Sequence, residues 1–175
     1  MKINRIWAMP SKNTYTIKPI RELIERYIND LPDDAIILNP FANSSTYGIT
    51  NDIDPEFNTD YHMDAIDFLK QFEDNSVDMV LYDAPWTVRQ VSECYKKLGM
   101  TVNMETTQAS YWTKQKKEIA RIVKPNGIVI TTCYNSGGIG KKNGFNIEEI
   151  LLVPHGGVHN DTILVVDRKK DYYEL

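Results

Sequence analysis

Val77-Asp78-Met79-Val80-Leu81-Tyr82-Asp83-Ala84-Pro85-Trp86 is the stretch on which the reading of the fold turns. Six residues of strand length, mostly apolar, run straight into a carboxylate, a proline and a large aromatic ring. A short apolar run that stops at a turn signal reads as a buried strand feeding a loop. The same pattern recurs outward in both directions. Upstream, residues 35–38 read as a buried strand, residues 48–51 as a weaker one and residues 65–72 as a short helix. Further back, Ile17, Ile20, Leu23, Ile24, Tyr27 and Ile28 form one helical stripe, with Thr16 placed to cap it and Pro19 in its first turn. Downstream, residues 107–123 read as a helix stopped by Asn126-Gly127, and residues 128–132 as a β-branched strand. Residues 150–153 and 162–166 form a closing pair of strands. Alternating strand and helix predict an α/β, Rossmann-like fold: a mostly parallel central sheet, helices on both faces and an antiparallel C-terminal hairpin.

The 175 residues, 42% hydrophobic and 25% charged, suit one domain over residues 1–175. Residues 87–106 are a candidate lid, and no separate target-recognition domain is expected. No apolar run approaches the ~20 residues of a membrane span, and the first residues lack a signal pattern. A cytoplasmic protein without a membrane partner is expected. Cys94 and Cys133 have neither metal spacing nor a disulfide framework and read as structural thiols. The net charge of -4 argues against a broad basic face of the kind that phosphate binding uses. The basic residues are clustered, with Lys114, Lys116 and Lys117 in one place and Lys141 and Lys142 in another.

In open α/β sheets ligands sit at the carboxyl ends of strands, so the loops after the strands are where chemistry belongs. At Asp83-Ala84-Pro85-Trp86 the carboxylate and the Ala84 carbonyl can accept from an exocyclic amine, and the indole can stack on its ring. An ordinary loop reads the same four residues equally well. After the first strand comes Asn39-Pro40-Phe41-Ala42-Asn43-Ser44-Ser45, whose small residues let backbone approach a ligand; asparagine at 43 tolerates a left-handed φ. Asp52, with Asp54 second, ends a strand where an acid commonly holds ribose hydroxyls, or else caps a turn. Asp64 stands where a helix N-cap belongs. His155, His159 and Asp161 do not make a metal site, because Gly156-Gly157 breaks any helix between them; a hairpin turn is expected there. The loop Ser136-Gly137-Gly138-Ile139-Gly140-Lys141-Lys142 lacks P-loop spacing and reads as a basic loop tracking a nucleic-acid backbone or as plain surface.

Taken in order, these segments resemble the class I S-adenosylmethionine (SAM)-dependent amino-methyltransferases with a D-P-P-[YFW] motif. They are most similar to the small DNA adenine-N6 methylase-like type of phages and mobile elements. The resemblance covers roughly residues 3–168. It implies a catalytic tetrapeptide Asp83, Ala84, Pro85 and Trp86, with Ala84 in place of the first proline. It implies a cofactor loop of Pro40, Phe41, Ala42 and Asn43, similar to D-P-F-x-G-x-G, with asparagine at 39 and 43 and Ser45 at a usual glycine. Asp52 would meet the ribose, Asp64 the cofactor adenine, and Thr16 and Lys18 the methionine end. Arg89, Lys141 and Lys142 would face substrate. The implied cofactor is SAM, the partner DNA or else RNA, and the reaction methylation of adenine N6, with cytosine N4 as the variant chemistry. The oligomeric state stays open, a dimer included. The rival from another class is an inactive SAM-binding or partner-binding protein, to which the altered cofactor loop, Ala84 and the acidic charge all point.

Overall fold

The computed structural model describes residues 1–102 and 110–171. In chain order they form β1 (Lys2–Arg5), α1 (Lys18–Asn29), β2 (Ile37–Asn39), β3 (Ile49–Thr50), α2 (Ala65–Leu69), β4 (Val77–Tyr82), α3 (Val88–Lys97), α4 (Ser110–Ile122), β5 (Val123–Cys133), β6 (Phe145–Val153) and β7 (Thr162–Lys169). Single 3-10 turns lie at Thr14–Thr16 and Lys141–Asn143. The strands make one sheet in the order β1-β6-β7-β5-β4-β2-β3. β7 runs antiparallel to β5 and β6, and the other neighbours are parallel. This is the expected α/β architecture, including the antiparallel pair at the C-terminal end.

The alternation along β4 explains the two layers. Met79 and Leu81 face α1, whose Ile20, Leu23, Ile24 and Tyr27 complete one core with Ile128 and Ile130. Val80 and Tyr82 point the other way, to Phe68 and Leu69 of α2 and Ile119 and Ile122 of α4. The chain leaves β2 on one side to form β3, and the next strand, β4, joins β2 on its other side. That reversal opens a crevice at the carboxyl ends of β2 and β4.

Three elements differ from expectation. β1 is an edge strand parallel to β6, and the sequence KINR, with one apolar residue in four, does not announce it. β5 begins directly after α4 and carries Pro125, Asn126 and Gly127 within it, where a helix stop followed by a loop is expected. The register absorbs the difference: Val77 pairs with Val123, yet Met79 already pairs with Ile128. Asn126 takes φ 63° there, and a Cβ on Gly127 would come within 2.6 Å of Val123 and 2.8 Å of the Lys124 carbonyl. Much of the candidate lid is helix α3. Its N-terminus carries a capping box, with Thr87 accepting from the Gln90 amide and Gln90 reaching back; residues 103–106 lie outside the described residues. Among the described residues no helix is long and apolar enough to cross a membrane.

Edge strand and helix are clasped by Glu149 of β6, which is almost fully buried. Its carboxylate accepts from Arg26 (2.9 and 2.8 Å), from the Asn4 amide (3.0 Å) and from the Tyr27 hydroxyl (3.0 Å). Burial works to raise its pKa, but the Arg26 and Tyr27 hydrogen bonds outweigh that and hold it below the ordinary value. Glu149→Ala is expected to cost about 2 kcal/mol in chemical denaturation. Arg26 is half exposed and can turn to water, whereas the Asn4 amide loses its partner and the Tyr27 hydroxyl keeps only a long bond to Glu148 (3.4 Å). A loss below 0.5 kcal/mol would refute the clasp.

Candidate active site

Asp83 leaves the carboxyl end of β4 at the crevice, and its tetrapeptide is held from two sides. The Gln90 side-chain oxygen accepts from the amides of Trp86 (2.7 Å) and Thr87 (3.1 Å). Trp112 of α4 donates its indole N–H to the Pro85 carbonyl (2.8 Å). Among the described residues no hydrogen bond ends on the Ala84 carbonyl. The loop is thus fixed by groups other than those predicted to meet substrate. Burial pushes the Asp83 carboxyl up to about 6 from an ordinary value of 3.8, against the lowering effect of hydrogen bonds from Thr14 and Trp86.

Two cavities meet at this loop. One, of about 490 Å³, is lined by Phe41, Asn43, Asp52, Asp64, Asp83 and Tyr95 among others. The second, of about 390 Å³, is lined by Trp86, Trp112, Lys116, Thr131 and Tyr134 among others. Ala84, Pro85 and Trp86 border both. A small recess of about 60 Å³ continues the first cavity between residues 12–16 and 41–45, with Asp83 on its wall.

The first cavity gathers residues that lie far apart in the chain. Asn43 takes φ 50°, the left-handed conformation for which glycine is usual. Its amide donates to Asp52 Oδ2 (2.9 Å), while Asp52 Oδ1 accepts from the Asp54 amide (3.0 Å). Burial raises the Asp52 pKa, and these two amides work against it. Asp64 is the N-cap of α2: Oδ1 accepts from the Ile66 amide (2.9 Å), and Oδ2 from the Tyr95 hydroxyl (2.5 Å). Lys97 pairs with Asp54 (2.7 Å) and Glu56 (3.0 Å), which fastens α3 across the mouth.

The remaining candidates are spread more widely. Pro40 lines the first cavity, and Ala42 and Thr16 line the recess, where the Thr16 hydroxyl donates to the Asn13 carbonyl (2.7 Å). Thr14 and Tyr15, rather than Lys18, border this end; Lys18 lies 3.8 Å from Glu22 in an exposed pair. Arg89 is exposed and paired with Glu93 (2.7 Å), and Lys141 and Lys142 lie exposed on the 3-10 turn. None of these four side chains borders the three cavities. Cys94 is exposed and Cys133 partly buried, each on a cavity wall. His155 is buried, with Nδ1 2.8 Å from the Ala8 carbonyl and Nε2 2.8 Å from the Thr162 hydroxyl, so both ring nitrogens are used in the fold. Gln90, Tyr95, Trp112 and Lys116 enter the site without having been assigned to it from the sequence. Only Gln90 had a signal, the spacing Thr87-x-x-Gln90 of a capping box.

No family model and no curated protein matches the chain. Solved structures do resemble it. TrmN from Thermus thermophilus superposes with a TM-score of 0.57 at 17% identity, over 87% of this chain and 49% of that one. The chain therefore spans about half the length of that protein. A second is the 1,6-didemethyltoxoflavin-N1-methyltransferase of Burkholderia thailandensis, whose structure holds 1,6-didemethyltoxoflavin and S-adenosylhomocysteine. It gives a TM-score of 0.56 at 10% identity, over 88% of this chain and 78% of that one. The yhhF protein of Escherichia coli gives 0.53 at 10% identity, over 94% of this chain and 92% of that one. At these identities the likeness is one of fold, and the fold is the Rossmann-like one of class I SAM-dependent methyltransferases.

Proposed function

We propose that the protein is a SAM-dependent methyltransferase acting on an exocyclic amine of a nucleic-acid base, with adenine N6 in DNA as the first substrate to test. One observation carries this reading: Ala84 borders two cavities, and Asp83, the strand-end carboxylate beside it, lines the first. A group-transfer site needs room for donor and acceptor on either side of the reacting atoms.

The residues of the first cavity fit SAM. Its volume is within the range of small-molecule sites, roughly 300–1,000 Å³. Asp52, though it already accepts two backbone amides, keeps lone pairs for ribose hydroxyls. The loop of Phe41 and Asn43 brings backbone to the recess where an aminoacyl tail would lie, and Thr14 closes it. SAM, when bound, supplies an activated methyl group. The protein orients and desolvates: Asp83 and the Ala84 carbonyl aim the amine and stabilise the positive charge that develops on its nitrogen. Ionised Asp83 is also placed to hold the proton that the nitrogen gives up. Trp86 offers a flat face to the ring.

Calorimetric titration with SAM, followed by methyl transfer to DNA, RNA and nucleosides, tests the reading. Micromolar binding is expected, and Asp52→Ala should weaken it about tenfold. Absence of binding at millimolar SAM would overturn it. One observation favours the rival, an inactive partner-binding protein: the Tyr95 hydroxyl of α3 sits on Asp64 Oδ2 (2.5 Å), the carboxylate that the resemblance assigns to the cofactor adenine. That rival expects no SAM binding.

A further inference from the structure

The second cavity has polar equipment of its own. Lys116 of α4 is half-buried, and its ammonium donates to the Gly138 carbonyl (2.5 Å). Gly138 is fixed in turn: φ is +53°, and a Cβ would lie 2.1 Å from Asp167 Oδ2. The same oxygen accepts from the Ile139 amide (2.8 Å). The ammonium head is thus held at the cavity wall by an immobile loop, with donors to spare, since an ammonium carries three. Thr131 of β5, 5% exposed, lines the same cavity; its hydroxyl is buried just behind the wall and has no hydrogen-bond partner among the described residues. Thr131 stands two residues beyond Val129, so it shares the sheet face that packs on α4.

The cavity therefore brings together a residue with a free acceptor, Ala84 next to Asp83, and two residues with donors, Lys116 and Thr131. Trp86, Trp112 and Tyr134 add aromatic surface, with the Trp86 and Tyr134 rings 6.2 Å apart. A molecule that satisfies both kinds of group offers an amine donor and an acceptor on one flat frame. An aliphatic amine would leave the spare donors of the lysine and the threonine hydroxyl desolvated without an acceptor, which a site of this kind rejects strongly.

We propose that Lys116 and Thr131 determine specificity in this cavity, by reading a ring-nitrogen acceptor on an amino-heterocyclic base whose exocyclic amine is held at Ala84, beside Asp83. The proposal rests on the methyltransferase reading, and the test separates the two. Calorimetry with S-adenosylhomocysteine comes first; failure to bind overturns the methyltransferase reading and this assignment with it. With S-adenosylhomocysteine saturating, single-stranded DNA oligonucleotides carrying one adenine are compared with their 1-deaza, 3-deaza or 7-deaza counterparts, and those carrying one cytosine with the 3-deaza counterpart, each of which lacks one ring acceptor. The wild type is expected to prefer a parent base about tenfold over one deaza analogue. Lys116→Met should lower affinity for the parent about tenfold and abolish the preference. Thr131→Val, which leaves the Gly138 anchor intact, should reduce the preference severalfold. Equal binding of parent and analogues overturns the assignment, as does a preference that survives both substitutions. So does S-adenosylhomocysteine binding with no affinity for either base.

Discussion

Asp83→Asn is expected to lower the rate of methyl transfer by about 10²- to 10³-fold while leaving SAM affinity within about threefold. The substitution keeps size and one acceptor oxygen. It replaces the other oxygen by an NH2 group, which faces an amine donor with a donor, and it removes the charge that opposes the positive nitrogen. The Ala84 carbonyl still orients the amine, so a residual rate is expected. In the proposed reading Asp52 and the loop of Phe41 and Asn43 carry most of the SAM contacts, and Asp83, though on the wall of the same cavity, keeps its size in the variant. The folded state should not suffer, because burial disfavours the ionised Asp83 carboxyl. Single-turnover kinetics at saturating SAM separates the effects: the chemical step should fall, with the cofactor dissociation constant unchanged. A variant within fivefold of wild type in the chemical step would remove Asp83 from the reaction.

What the sequence made legible follows from where the physics is local. β4 is a continuous run whose burial its composition dictates, so Asp83 could be placed at a strand end from the residues alone. α1 was equally plain, because five of its side chains fall on one buried stripe. β1 was hidden because it is an edge strand: Ile3 remains 58% exposed, so burial imposes no pattern on it. The second cavity was hidden for another reason. Lys116 and Trp112 come from helix α4 and Thr131 from strand β5, brought together only by packing. In the sequence Lys116 belongs to a basic run that reads as a solvated face, and only the bond to Gly138 shows that its head is turned inward. Tyr95 likewise acts at a distance of 31 residues, on Asp64.

Stability is expected to rise, not fall, as the pH is lowered from 7.5 to 5. Asp83 and Asp167 both have carboxyl groups pushed up to about 6 from an ordinary 3.8, with burial the largest cause in each. Asp167 is fully buried; Ile139 and Lys116 only partly offset its desolvation, and its Oδ1 has no hydrogen-bond partner among the described residues. A carboxyl with a raised folded-state pKa binds its proton more tightly in the native chain. Its contribution is fully present below about pH 4 and is lost as pH rises through 6. Between pH 7.5 and pH 5 each group gives about 1.4 kcal/mol, about 3 kcal/mol together. Asp54, Asp60 and Glu149 have the opposite shift, but their pKa values lie below 3.8, 3.8 and 4.5, so they act at lower pH. Urea denaturation at the two pH values measures the difference, and Asp167→Asn should remove about half of it. A flat or inverted profile would refute the desolvated pair. Activity should run the other way, because ionised Asp83 is the form that meets the amine: the rate at pH 5 should be about tenfold below its plateau. The protein is then most stable where its acid is protonated and most active where it is not, the signature of a carboxylate held at a strand end against its own solvation.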